Sequence, residues 1–304
     1  MIPLDSSPGN QTRKGHSVAF AVATALLLLC FGKPLYGLAR FAFSSELYSY
    51  VLLIPLMSAY LAWLEPLTPS DSGKDARRSA VALGAAGLVT IAVFGMLLAR
   101  GVHLEPDDSF ALTTLSFVLL FYGVFAWFHT GNTIRIYLFP LGILVLLVPL
   151  PMVIRNSIEA MLQHWSALAA VGMLDLAGTP VFNTGNTLQL SDINLLVAPE
   201  CSGIHSSIAL FITSLVAGHL FLRSKWKRTL LAAAVIPLGV LRNGFRIFTI
   251  GELCIHIGPE MIDSKIHRKG GPVFFVLSLV PFLLLLFFLI KSERRSKVPQ
   301  PVSP

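Results

Sequence analysis

The stretch that decides the fold is Ser109 to Phe128, SFALTTLSFVLLFYGVFAWF, which contains no Asp, Glu, Lys or Arg. A helix rises about 1.5 Å per residue, so a block of this length crosses the roughly 30 Å hydrocarbon layer of a bilayer. Outward from it, similar apolar blocks occupy Ser79 to Ala99, Leu47 to Leu64 and Ser17 to Gly37 (broken by Lys33) on one side. On the other lie Ile136 to Ile154, Cys201 to Leu222, Thr229 to Gly251 (broken by Arg242 and Arg246) and Gly270 to Ile290. The pattern predicts about eight spans. The composition agrees: only 13% of the 304 residues are charged, about half the share of a soluble domain, and 54% are apolar. With a mean hydropathy of +0.72, a soluble globule is excluded. The expected fold class is an all-α polytopic membrane protein forming one domain, residues 1–304.

The formal charge of +7 reads as orientation rather than as a nucleic-acid footprint, because basic residues of membrane proteins collect in cytoplasmic loops. The first block follows Arg13 and Lys14 and lacks a small-residue cleavage signature, so it reads as a retained helix. With eight spans, 14 basic residues fall on the side of the N-terminus and seven on the other. Both termini (tails 1–16 and 292–304) are therefore expected in the cytoplasm, in a multi-pass protein of the cytoplasmic (inner) membrane.

The segment 149–200 is then a small extracytoplasmic cap. Val153 to Leu176 mixes Arg155, Glu159, Gln163, His164 and Asp175 with apolar residues, as an interfacial helix does. Thr179 to Asn183, the turn formers Thr184, Gly185 and Asn186, and Thr187 to Val197 read as a β-hairpin. The three cysteines, Cys30, Cys201 and Cys254, have neither CxxC nor metal-ligand spacing, so no metal, disulfide framework or cofactor is expected.

The cap leads into Cys201, at the expected first turn of the sixth span. There, unpaired amides and the positive helix end favour a thiolate. Arg242 and Arg246 lie four apart on one face of the seventh span, near its outer end. Arginine at bilayer depth marks a functional site by default, with one residue lining the site and the other supporting it. His267 precedes the eighth span. Loop charges alone bring Cys201, Arg246 and His267 to the outer membrane face. A nucleophilic thiolate, an imidazole to move protons and a guanidinium for an oxyanion suit acyl transfer.

The run VAPECSGIHSS, residues 197–207, resembles the cysteine motif of the exosortase/archaeosortase family. RNGFRI resembles its Asn-x-x-Arg motif at Asn243 and Arg246, and HRKGG its histidine element at His267. The resemblance implies a membrane-embedded cysteine protease or transpeptidase that cleaves a C-terminal sorting signal of membrane-anchored secreted proteins. The typical signal is a Pro-Glu-Pro-type motif followed by a transmembrane helix and a basic tail. It implies Cys201, Arg246 and His267 as catalytic, with Asn243, His205, Arg242, Ser202 and Gly203 supporting them or binding substrate, and a lipid or glycan as possible acceptor. His205 stands where the family often has arginine, one turn from Cys201 on an expected common helical face, so both His205 and His267 are candidates for the base; the resemblance favours His267. The competing readings are a transporter with an anion site at Arg242 and Arg246, and a non-catalytic membrane scaffold.

Overall fold

The computed structural model describes residues 8–65, 76–190, 193–264 and 270–295. It divides into two compact units, residues 1–152 and 153–304.

In the first unit, helices α1 (Pro8–Cys30) and α2 (Gly32–Ser44) meet at a 65° bend. Pro34 accounts for it: the ring lacks an N–H and clashes with the carbonyl four residues back, at Cys30, where α1 stops. After a 3₁₀ turn at Ser49–Leu52 come α3 (Ile54–Leu64), α4 (Arg77–Ala99), α5 (Pro106–Phe128), α6 (Gly131–Ile136) and α7 (Leu138–Leu144). Helices α4 and α5 form the tightest pair, because small residues let their backbones approach. A Cβ at Gly123 would stand 3.0 Å from the Gly84 nitrogen and 3.1 Å from the Ala80 carbonyl oxygen. The Ser116 hydroxyl donates across the same seam to the Gly87 carbonyl at 2.8 Å. Helix α3 is tied to α7 by Ser58 Oγ, which donates to the Pro140 carbonyl at 2.8 Å.

The second unit opens with α8 (Met152–Ala177) and a three-stranded antiparallel sheet in the order β1 (Phe182–Thr184), β2 (Thr187–Gln189), β3 (Asn194–Leu196). It continues through α9 (Ile204–Phe221), α10 (Lys225–Ala233), α11 (Val235–His256) and α12 (Gly271–Arg295). Pro237 explains the break between α10 and α11, since its ring opposes the Ala233 carbonyl. Two cores hold the unit. Leu188, Leu190, Leu195 and Val197, alternating along β2 and β3 and just beyond them, pack on Ala167, Ala170 and Leu174 of α8 and on Ile247, Ile250 and Cys254 of α11. Leu210, Leu222, Leu231, Phe282 and Leu286 join α9, α10 and α12 in the other. The Glu293 carboxylate accepts the Arg223 and Ser224 amides at 3.0 and 2.9 Å, fastening the end of α12 to the start of α10.

The structure corrects two expectations. Among the described residues five helices are long and apolar enough to span a membrane, or up to seven if each bent pair is one span, rather than about eight. The block Leu47 to Leu64 makes the difference, giving a 3₁₀ turn and an 11-residue helix only about 16 Å long. The expected hairpin also has a third strand. Thr187 to Val197 is not one strand but folds back, with the Leu190 amide bonded to the Ile193 carbonyl at 2.8 Å and the Val197 amide to the Asn186 carbonyl at 2.9 Å.

Candidate active site

The chain leaves β3 at Leu196 and is fixed at Val197, whose carbonyl accepts the buried Gln163 side-chain amide of α8. Pro199 then opens a 3₁₀ turn, Pro199–Cys201, closed by the Cys201 amide on the Ala198 carbonyl (2.8 Å) and the Ser202 amide on the Pro199 carbonyl (3.0 Å). Gly203 follows with φ +74°, a left-handed conformation that glycine adopts without a Cβ penalty, and α9 begins at Ile204. Cys201 therefore stands before the cap of α9, not in its first turn as expected. Left-handed Gly203 also breaks the helical register between Cys201 and His205. The two do not share a helical face, and His205 is exposed at the second position of α9.

Helix α11 holds this turn from behind with two adjacent side chains. Asn243 Nδ2 donates to the Cys201 carbonyl at 2.6 Å. Arg242 Nη2 donates to the Gly203 carbonyl at 2.9 Å and to Ser207 Oγ at 3.3 Å. Both are buried, at 2% and 8% exposure, as is Ser202 at 2%. The packing leaves no spare room: a Cβ at Gly203 would lie 2.8 Å from Arg242 Nη2 and 3.1 Å from the Asn243 amide group. Small residues bring the three helices this close. A Cβ at Gly239 would stand 2.7 Å from Ser207 Oγ, and one at Gly244 would stand 2.7 Å from the Ala169 Cβ.

One turn further along α11 stands Arg246. It lines a cleft of about 290 Å³, counted to its open mouth, with Cys201, Asn243, Leu195 to Val197 of the β3 segment, and Ile247 and Ile250. The cleft thus brings together a thiol outside any disulfide, a guanidinium and a carboxamide between aliphatic walls, where charge interactions are stronger than in water.

A sequence model of the transmembrane exosortase family matches residues 42–284. The chain belongs to the transmembrane exosortase family. Exosortases are membrane enzymes of the transpeptidase and cysteine protease type that act on membrane-associated proteins. No curated protein and no solved structure matches the chain. In this exosortase Arg246 lines the cleft and Arg242 donates to the Gly203 carbonyl of the turn. His267 lies outside the described residues. Cys254 is buried in the core and Cys30 ends α1 in an exposed position. Among the described residues no three His, Cys, Asp or Glu side chains gather as a metal site. Two contributors escaped the sequence reading. Gln163 carried a signal, a polar residue inside the stripe Leu162, Ser166, Ala167 and Ala170 that α8 buries. Ser207 carried none, being one of several hydroxyls near the cysteine.

Proposed function

We propose that this exosortase cleaves the C-terminal sorting signal of membrane-tethered secreted proteins at the outer face of the cytoplasmic membrane, through an acyl-enzyme on Cys201. The observation that carries the reading is the shared cleft of Cys201 and Arg246, with the cysteine's own carbonyl pinned by Asn243. The Cys201 thiolate attacks the scissile carbonyl carbon, and Arg246 stabilises the oxyanion or orients the substrate. As the C–N bond breaks, a proton passes to the leaving amine, and a thioester remains. A lipid or glycan nucleophile, or water, then attacks the thioester, gives up its proton to the base and restores the thiolate. His267 is assigned as the proton carrier from the family motif. His205 loses the argument from proximity, since it is exposed and Gly203 separates its helix from Cys201.

The transporter reading is weakened by Arg242, whose guanidinium is engaged by the Gly203 carbonyl and Ser207 and is nearly buried, not open to a passing anion. The deciding experiment is co-expression with a membrane-anchored substrate ending in a Pro-Glu-Pro-type signal. Cys201→Ala and Cys201→Ser should insert normally and leave the substrate uncleaved, and His267→Ala should lose turnover where His205→Ala keeps it. Normal processing by both cysteine variants would sink the reading; loss of turnover in His205→Ala alone would move the base to His205.

A further inference from the structure

The three-stranded sheet ends at the cleft. Among the described residues strand β3 has β2 on one side and no strand on the other. The register pairs Leu188 with Leu195 and Thr187 with Leu196, and the bonded pairs flanking the ladder are Leu190 with Ile193 and Asn186 with Val197. In an antiparallel ladder bonded and non-bonded pairs alternate, so Ile193, Leu195 and Val197 turn their backbone groups to β2. Asn194 and Leu196 turn theirs to the open edge. Side chains alternate as well: Leu195 and Val197 are buried at 5% and 2%, whereas Leu196 is 63% exposed and lines the cleft that contains Cys201. An unpaired edge of this kind is a template for an added strand.

Resting on the function proposed above, we infer that the substrate's sorting segment binds as an extended strand on the open edge of β3, exchanging backbone hydrogen bonds with Leu196. The chain runs from this residue to Cys201 in five steps, so a strand laid along the edge leads directly to the nucleophile. Main-chain bonds would supply affinity, and the side chain of the residue opposite Leu196, on the same face as Leu196, would enter the cleft lined by Arg246, Ile247 and Ile250. A Pro-x-Pro signal fits one register only. Its two proline nitrogens, at alternate positions, point to the same side and have no N–H to donate. They must face away from β3, leaving the central residue to pair with Leu196. The prolines then close the outer edge against further strands.

Two peptides test this, a Pro-Glu-Pro-type signal and the same peptide N-methylated at the glutamate nitrogen, each measured for binding to detergent-solubilised Cys201→Ala protein and for cleavage by the wild type. Strand addition predicts that N-methylation weakens binding about tenfold or more, the effect of roughly 1.4 kcal/mol, with a parallel loss of cleavage. Leu196→Pro, which removes an outward N–H without touching the β2 ladder, should impose the same loss, while Leu196→Ala keeps the backbone contribution. Equal binding of both peptides overturns the inference, and so does failure of the unmethylated peptide to bind. Cleavage of both at the same rate overturns it while leaving the catalytic reading intact; absence of cleavage with selective binding of the unmethylated peptide does the reverse. A dimer abolished by Leu196→Pro, with no effect of peptide methylation, would place a second copy on the strand instead and also overturn it.

Discussion

Asn243 has the most to do for its size, because its carboxamide is the contact between α11 and the backbone of the proposed nucleophile. Asn243→Asp preserves shape but replaces the donor with an oxygen facing a carbonyl oxygen, so it is expected to be at least as damaging as Asn243→Ala. A lost buried hydrogen bond costs about 1–3 kcal/mol; realised in the transition state, that is roughly 10- to 100-fold in turnover. Substrate processing at matched membrane expression measures it. Gly203→Ala combines two costs: a Cβ at φ +74°, about 1–2 kcal/mol, and a 2.8 Å approach to Arg242 Nη2 that the guanidinium must yield to. Its expected outcome is loss of processing with a lowered melting temperature in detergent. The sequence disclosed these residue types and their spacing but not this division of labour. Nothing in ECSGIH declares that the glycine is left-handed, and that single dihedral takes Cys201 off the helix and parts it from His205.

At the scale of elements, Gly244 decides how near α8 and α11 can come. Substitution by alanine gains helix propensity, up to about 1 kcal/mol. It also drives a methyl to 2.7 Å from the Ala169 Cβ and 3.2 Å from the Ser166 carbonyl oxygen. Backbone cannot rotate out of the way, so overpacking, about 1–3 kcal/mol, should win. Thermal unfolding of Gly244→Ala should show destabilisation, and adding Ala169→Gly should recover much of it; no recovery would mean that the backbone contacts dominate. Helices α4, α5, α9 and α12 were legible because uninterrupted apolar runs admit one solution in a bilayer. At Pro34 and Pro237 hydropathy still reads a span although the backbone breaks, whereas Pro281 is carried inside the continuous α12. The strands were hardest to read, since three-residue segments carry too little alternation to mark where Thr187 to Val197 reverses.

For the whole molecule, loop charge makes an orientation that can be checked directly. A fluorescent fusion at the C-terminus should glow, and an alkaline phosphatase fusion in the Gly185 turn should be active, as that enzyme folds only outside the cytoplasm; the opposite pair of results would invert the topology and remove Cys201 from the outer face. The sequence predicts Cys201, Arg246 and His267 together; Cys201, Asn243 and Arg246 line one cleft and His267 lies outside the described residues, while the walls of the cleft come from a sheet edge that composition does not reveal. The carbonyl of Cys201 and the guanidinium of Arg246 are both referred to one rigid body, α11. A bilayer that thickens or thins tilts such a body as a unit. The distances that set the chemical step ride with it, while the depth at which a membrane-anchored substrate meets the cleft does not. Reconstituted in phosphatidylcholines of increasing acyl length, the enzyme should therefore keep its kcat and change its KM: the helix works as a gauge block, indifferent to the thickness of the medium in which it is set.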